Sequence, residues 1–429
     1  MLNKAQDWLV SARIYLDRRV LALFFLGFAS GLPFLLVYST LSFRLRLNDV
    51  SLTDIGWFSL AGLAYGLKFV WAPLVDHLPI PFMTKEFGQR RGWLIASQLA
   101  VFGGILCLGT IDPAESLILT AFAAVGLAFF SATQDIVADA LRIEVLSEDE
   151  QGGGAANFVN GYRAGTLVAG AGALVIAEHY GWFWAYVGMA GFMLPGILAV
   201  SFLPEPEQVS TKNPLGTPAR LWDRLHCAIV TPFNEFAQRE NWLLILIFIT
   251  LYKYGDALLG AMANPFYADL GFSGSEIGII TKGWGLAMSF FGAFIGGLIC
   301  LRIGLLRALF VTGVAQLAGN FAFAALAFYG KSLGLLTLAI AVENLSGAMA
   351  TAAFVAYLSS LCNLGFTATQ YALLTSLTAL ARTVFTAGGG WLADELGWVN
   401  FFLATTIAAV PGLVLLGCLM RRGRETSEW

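Results

Sequence analysis

Two aspartates four residues apart, Asp135 and Asp139, lie in the stretch SATQDIVADA at 131–140, inside an apolar run long enough to cross a bilayer. Four residues are about one helical turn, so both carboxylates share a face. An ionised carboxylate at the bilayer centre costs about 3 kcal/mol by insertion scales, so a pair of them must look into a protein-lined or wet cavity. The chemistry that fits is proton transfer. Asp135 is read as a proton switch whose charge state follows the approach and withdrawal of a cation, with Arg163 the candidate. Asp139, nearer the helix end, is read as a second proton-coupling acid or as part of a latch.

Seven further charges fall inside apolar runs: Lys68, Arg163, Lys253, Asp256, Lys282, Glu343 and Arg382. Nine lipid-facing charges at about 3 kcal/mol each would cost ~27 kcal/mol, more than a domain's net stability, so they point inward and largely pair. Lys253 and Asp256 are three apart and fit one helix face as a neutral pair. Such a pair either registers two helices or holds an anionic or polyhydroxylated solute, with Lys282 adding positive charge nearby. Lys68 is long enough to snorkel to the membrane surface. Tyr65, Gln134, Asn344 and Gln370, with Trp71, are the donors and stacking faces a sugar would use. The expected solute site comprises these four polar residues together with the seven charges.

None of the three histidines (His77, His179, His226) falls in an apolar run, which weighs against an intramembrane enzyme. Five scattered cysteines suggest neither a disulfide framework nor a metal cluster. No cofactor is expected beyond the proton as coupling ion.

The elements that must position these residues are membrane helices. The chain is 58% hydrophobic and 12% charged over 429 residues, against about 25% charged in soluble proteins. Mean hydropathy is +0.72. Runs of about 20 mostly apolar residues begin near Val20, Ile55, Trp93, Leu117, Phe158, Phe183, Trp242, Ile277, Ala308, Leu335, Thr367 and Phe401, which predicts an all-α integral membrane protein with twelve transmembrane helices. If both ends lie on one side, the opposite loops carry only Arg44, Arg46 and Lys331, whereas the terminal side carries 17 of the 25 Lys and Arg. The positive-inside rule then puts both termini in the cytoplasm. The first apolar run follows Arg18-Arg19, is span-length and has no evident cleavage site, so it reads as a span rather than a signal peptide.

The long polar break at 204–241 divides the chain into six-helix bundles at 1–203 and 242–429. The halves repeat. Thr53-Asp-Ile-Gly56 recurs as Ser275-Glu-Ile-Gly278, each in a capping pattern (Ser51 with Asp54, Ser273 with Glu276). Ala132-Thr133 recurs as Ala350-Thr351, Gly181-Trp182 as Gly397-Trp398, and Pro195-Gly196 as Pro411-Gly412. Two parallel six-helix pseudo-repeats are the plan of a major facilitator fold, with the solute site between the halves and rocking as the motion. Arg163 aligns with Arg382, whereas Asp135 and Asp139 align with Ala353 and Tyr357, so the architecture does not require those acids. Asp76 ends the second run and Arg90 and Arg91 open the third, a stretched form of the facilitator loop motif that latches the cytoplasmic side. Within the linker, Leu221, Trp222, Leu225, Ile229 and Phe233 share a helical face suited to the inner leaflet.

The stretches LGFASGLP at 26–33, KFVWAPLVD at 68–76, RRGW at 90–93, QDIVADA at 134–140, GYR at 161–163, LYKYGDA at 251–257, ENLSG at 343–347 and TQYAL at 369–373 resemble the AmpG muropeptide permeases over nearly the whole chain. The resemblance implies a bacterial inner-membrane importer, driven by the proton gradient, of N-acetylglucosaminyl-1,6-anhydro-N-acetylmuramyl peptides, working in peptidoglycan recycling and, in some bacteria, in β-lactamase induction. It places the family's important acid on Asp135. It further implies a muropeptide substrate and membrane lipid as partners, no nucleic acid, and a monomer. Two rivals are an AmpG-like importer of a siderophore or other small amphiphile, and a polytopic membrane enzyme acting on lipid-linked sugars.

Overall fold

A computed structural model describes residues 13–206, 230–386 and 388–425. The linker positions 221, 222, 225 and 229 lie outside the described residues, as does the side chain of Lys282. The described chain is helical, without strands. Among the described residues nine helices are long and apolar enough to cross a membrane, so the protein is polytopic.

Two compact units emerge, one of Arg13–Glu235 with Ser359–Ser376, the other of Phe236–Leu358 with the described part of Leu377–Trp429. In the first, α1 (Arg18–Val37) runs into α2 (Ser39–Leu47). The next expected span is broken into α3 (Leu52–Phe58), α4 (Leu63–Leu67) and α5 (Ala72–His77), joined by 3₁₀ turns at Ser59–Gly62 and Lys68–Val70. Gly62 and Gly66 weaken the helix, and Pro73 lacks the N–H that would continue it. Then follow α6 (Gln89–Thr110), α7 (Leu117–Val145), α8 (Gln151–Leu167), α9 (Ala173–Tyr180), α10 (Trp182–Gly191) and α11 (Leu194–Ala199). A π-helical turn at Val168–Gly172 joins α8 to α9.

The second unit holds α12 (Trp242–Tyr252), α13 (Tyr254–Asp269), α14 (Gly285–Ile303), α15 (Leu305–Tyr329), α16 (Leu333–Ser360) and α18 (Gly389–Glu425), while α17 (Thr367–Thr386) begins in the first unit and ends in the second. Another π-helical turn, Gly278–Trp284, leads into α14. The capping pattern predicted at Ser273 forms a reciprocal box: Ser273 N donates to Glu276 Oε2 at 2.7 Å and Glu276 N donates to Ser273 Oγ at 3.2 Å.

What sets the first unit's geometry is backbone contact between α1 and α8. A Cβ on Gly27 or Gly31 would collide with the carbonyls of Phe158 and Tyr162, and one on Gly161 or Gly165 with those of Phe24 and Phe28. Small residues four apart on both helices are the membrane device for such proximity. Gly292 and Gly296 bring α14 onto α16 in the same way, against the backbone of Leu345 and Met349.

Candidate functional site

The helix α7 carries the acids and one cation, Arg142, and a neighbouring segment supplies another, Lys68. Lys68, at the 3₁₀ turn between α4 and α5, is 7% exposed and does not snorkel. Its Nζ lies 3.8 Å from Asp139 Oδ2. The other Asp139 oxygen is 3.5 Å from Arg142 Nη2, so Asp139 sits between two cations. Breaking the expected second span at this point puts Lys68 opposite both acids, because its charge also acts on Asp135.

Asp135 is half-buried, and its Oδ1 is enclosed with no hydrogen-bond partner. The Tyr65 hydroxyl, Ser131 Oγ and Gln134 Oε1 are likewise buried and unpartnered. Gln134 is fully buried and its Nε2 donates to Ser30 Oγ on α1 at 3.3 Å. Tyr65 stacks on Tyr38 at 6.3 Å between ring centroids and meets Phe34 edge-on at 5.6 Å. Tyr162 contacts the same Phe34 ring and feels the charge of Asp135. One carboxylate with open hydrogen-bonding capacity, walled by aromatic rings and faced by a lysine already shared with Asp139, is arranged to change its charge by exchanging a proton or a cationic partner. Arg163 is half-buried on α8, whereas Arg382, its counterpart by the repeat, is exposed on α17. Lys68 is brought against the acids of α7 from outside that helix.

A second constellation lies at the end of α7. Arg90 Nη2 is 2.8 Å from Asp76 Oδ1 and 2.6 Å from Glu144 Oε1, and Arg90 Nε also donates to Glu144. Asp76 accepts from Ala368 N at 3.3 Å, Thr369 N at 2.9 Å and Thr369 Oγ1 at 2.6 Å, capping the positive end of α17. Arg142, fully buried, donates to Ser359 Oγ at 3.0 Å and lies over the rings of Phe158 and Tyr371. Among the described residues Arg91 joins through its backbone: Glu205 accepts from the N–H groups of both Arg90 and Arg91, at 2.8 and 3.0 Å. Gln370 departs from the expected role as a solute ligand. Its Nε2 donates to Pro232 O and Glu235 Oε2, its Oε1 accepts from Asn363 N at 2.7 Å, and it is 1% exposed, so its polar atoms are occupied by protein.

Sequence reasoning missed Arg142, Glu144 and Glu205. Arg142 falls among the 17 Lys and Arg assigned to the terminal side. A signal existed in Asp139 and Arg142 standing at i and i+3.

In the second unit, Lys253 Nζ is 3.0 Å from Asp256 Oδ2 and 3.5 Å from the Gly347 carbonyl. Glu343 Oε2 accepts from Asn344 Nδ2 at 2.9 Å, and Asn344 Oδ1 accepts from Ser289 Oγ at 2.9 Å. A small cavity between α12, α13, α15, α16 and α18 is lined by Tyr252, Asp256, Gln316, Asn320, Glu343 and Ser346 among others.

The Major Facilitator Superfamily profile matches residues 20–253. The chain is 41% identical over 406 residues to the anhydromuropeptide permease of Escherichia coli (strain K12), a match spanning 94% of this chain and 80% of that one. It is 37% identical over 412 residues to putative transporter AmpG 4 of Rickettsia felis, covering 96% and 98%. Its fold is similar to that of the human organic anion transporter MFSD10 (TETRAN), with a TM-score of 0.65 at 16% identity, covering 94% and 99%.

Proposed function

Because the chain belongs to the AmpG permeases of the major facilitator superfamily, we propose that this transporter imports anhydro-muropeptides, the disaccharide GlcNAc-1,6-anhydroMurNAc with or without its peptide, across the bacterial inner membrane in symport with protons. The observation that carries the reading is the 41% identity to the E. coli permease over 94% of the chain. Twelve spans in two pseudo-repeated six-helix halves, 1–203 and 242–429 about a linker at 204–241, and both termini in the cytoplasm, complete the reading.

In this scheme Asp135 is the coupling acid. When it is ionised, Lys68 divides its charge between Asp135 and Asp139; when it takes a proton from the periplasmic side, Lys68 is left to Asp139 alone. A proton thus redistributes one lysine between two acids a helical turn apart, which couples protonation to the pose of the broken second span. On the cytoplasmic side, release of solute requires the ties from Asp76 and Arg142 to residues 359–376 to break. Solute is held by hydrogen bonds at ~1 kcal/mol each, more where charged, spread over Tyr65, Lys68, Gln134, Arg163, Lys253, Asp256, Lys282, Glu343, Asn344 and Arg382.

The test is uptake of labelled GlcNAc-anhydroMurNAc by purified protein in liposomes under an imposed pH gradient, inside alkaline. Accumulation above the external concentration, abolished by a protonophore, is expected. Equilibration without accumulation would remove the coupling, and absence of any uptake would remove the substrate.

A further inference from the structure

The broken second span brings two polar side chains against α7, and only Lys68 has so far been given a task. Tyr65 on α4 stands three residues ahead of Lys68, and across from them Ser131, Asp135 and Asp139 occupy successive turns of one α7 face. Lys68 answers the two acids. Tyr65 meets the other end of the row, where its hydroxyl approaches Ser131 Oγ and feels the charge of Asp135.

Three atoms in this corner are near one another without being engaged. Tyr65 Oη, Ser131 Oγ and Asp135 Oδ1 are all enclosed, and none makes a hydrogen bond. Two of them carry a hydrogen to donate, and the third is a carboxyl oxygen able to accept both. Buried polar atoms are ordinarily partnered, so three left open at one place mark an arrangement with a second position. The segment has room to reach it. A Cβ on Gly66, between Tyr65 and Lys68, would meet nothing within 4 Å, and α4 is flanked on both sides by 3₁₀ turns, the form a helix takes at a hinge. The charged and titratable groups around Asp135 are Lys68 from the turn, Tyr65 from α4, Tyr162 from α8 and Asp139 on its own helix, with Tyr38 stacked on Tyr65. Lys68 divides its charge between the two acids, which leaves hydroxyl donors a part in answering an ionised Asp135.

We propose that Tyr65 is the positioning residue of the coupling acid. When Asp135 is ionised, the Tyr65 and Ser131 hydroxyls donate to its Oδ1. When Asp135 takes a proton from bulk water, that oxygen loses its charge, the hydroxyls release it, and the segment carrying Tyr65 and Lys68 turns as one. Tyr65 and Ser131 keep their own protons throughout. The proposal rests on the reading of Asp135 as the proton-coupling acid.

The experiment is infrared difference spectroscopy of the full chain in lipid nanodiscs, stepping the pH across neutrality and following the carbonyl band of protonated carboxyl groups. The part of that band lost in Asp135→Asn belongs to Asp135. Tyr65→Phe keeps the ring and removes only the hydroxyl; the band should persist there with its midpoint displaced by about one pH unit, the proton being held about tenfold more tightly because the ionised form has lost a donor. An unmoved midpoint would overturn the proposal and leave the coupling reading in place. Tyr38→Phe removes the hydroxyl of the stacked neighbour and should titrate like the wild type, whereas an equal displacement there would overturn the assignment to Tyr65. Ser131→Ala serves if the phenylalanine variant does not fold: a displacement of the same sign is expected, and an unmoved midpoint is again fatal. A wild type with no band removable by Asp135→Asn would take away the coupling reading itself, and the proposal with it.

Discussion

Asp135 and Asp76 are acids with opposite tasks, and their surroundings say which is which. Every hydrogen bond that Asp76 can accept is taken, by Arg90, by two amides and by a hydroxyl, which holds its carboxylate in one place. Asp135 keeps an enclosed oxygen with no partner, the condition of a group meant to change state. The Asp135→Asn protein should therefore insert and exchange labelled disaccharide across the membrane, yet lose accumulation above the external concentration; undiminished gradient-driven uptake would sink the coupling role. A third acid behaves differently again. Asp17 caps α1 and bonds the Arg19 guanidinium and amide, which hold its carboxyl below the usual aspartate value of 3.8. A depressed carboxyl stabilises the folded state above its unfolded pKa and loses that contribution as pH falls through the folded value. The cap should thus be fully engaged at neutral pH and lost as the pH falls through the lowered value. Thermal melts of wild type and Asp17→Asn should differ slightly at pH 7 and converge in acid.

Among the helices, the tightest requirement is the one α1 and α8 place on each other. Gly161 has the Phe24 carbonyl where a Cβ would go, whereas Gly103 on α6 has nothing within 4 Å. Gly161→Ala should cost stability at or above the upper end of ~1–3 kcal/mol, and Gly103→Ala should be neutral or gain up to ~1 kcal/mol of helix propensity. Detergent melting curves of the two variants check the contrast; equal behaviour would mean that the helices are not in backbone contact. Gly27, Gly31 and Gly161 were in plain view in the sequence, within the stretches that carried the family resemblance, but spacing alone does not say which helix lies opposite. The break of the second span was less visible. Its hydropathy is continuous from Ile55 on, and only Gly62, Gly66 and Pro73 hint that Lys68 would sit on a 3₁₀ turn and point inward instead of snorkelling. Helical class and the acids of α7 were legible because burying charge in lipid is costly whatever the fold. Arg142 with Ser359, and Arg90 with Glu205, were not, because their partners lie 217 and 115 residues away and no local pattern encodes them.

For the molecule as a whole, the telling fact is that residues 359–376 gather with Arg13–Glu235 and not with the helices on either side of them in the chain. Asp76, Arg142 and the Gln370–Glu235 bond hold that segment in place. Hydrogen bonds to a charged group contribute about 1.5–3 kcal/mol each, so Asp76→Ala should shift this end of the protein towards opening by tenfold or more. Cys362, in the turn between α16 and α17, is a native reporter. Its alkylation by an impermeant maleimide in inside-out vesicles, read by peptide mapping apart from Cys107 and Cys418, should accelerate severalfold in Asp76→Ala. An unchanged rate would show that the ties are not what keeps the segment down.

That same tie has a side that any sequence can supply. Two of the three groups Asp76 grips on α17 are peptide N–H groups, at positions 368 and 369. Every amino acid but proline offers one. A ligand shaped to displace Asp76 and seize those amides would rest on a surface that side-chain substitution can scarcely erase. Resistance by point mutation would have to come from elsewhere, at the expense of the acid or the arginine that the transporter itself needs.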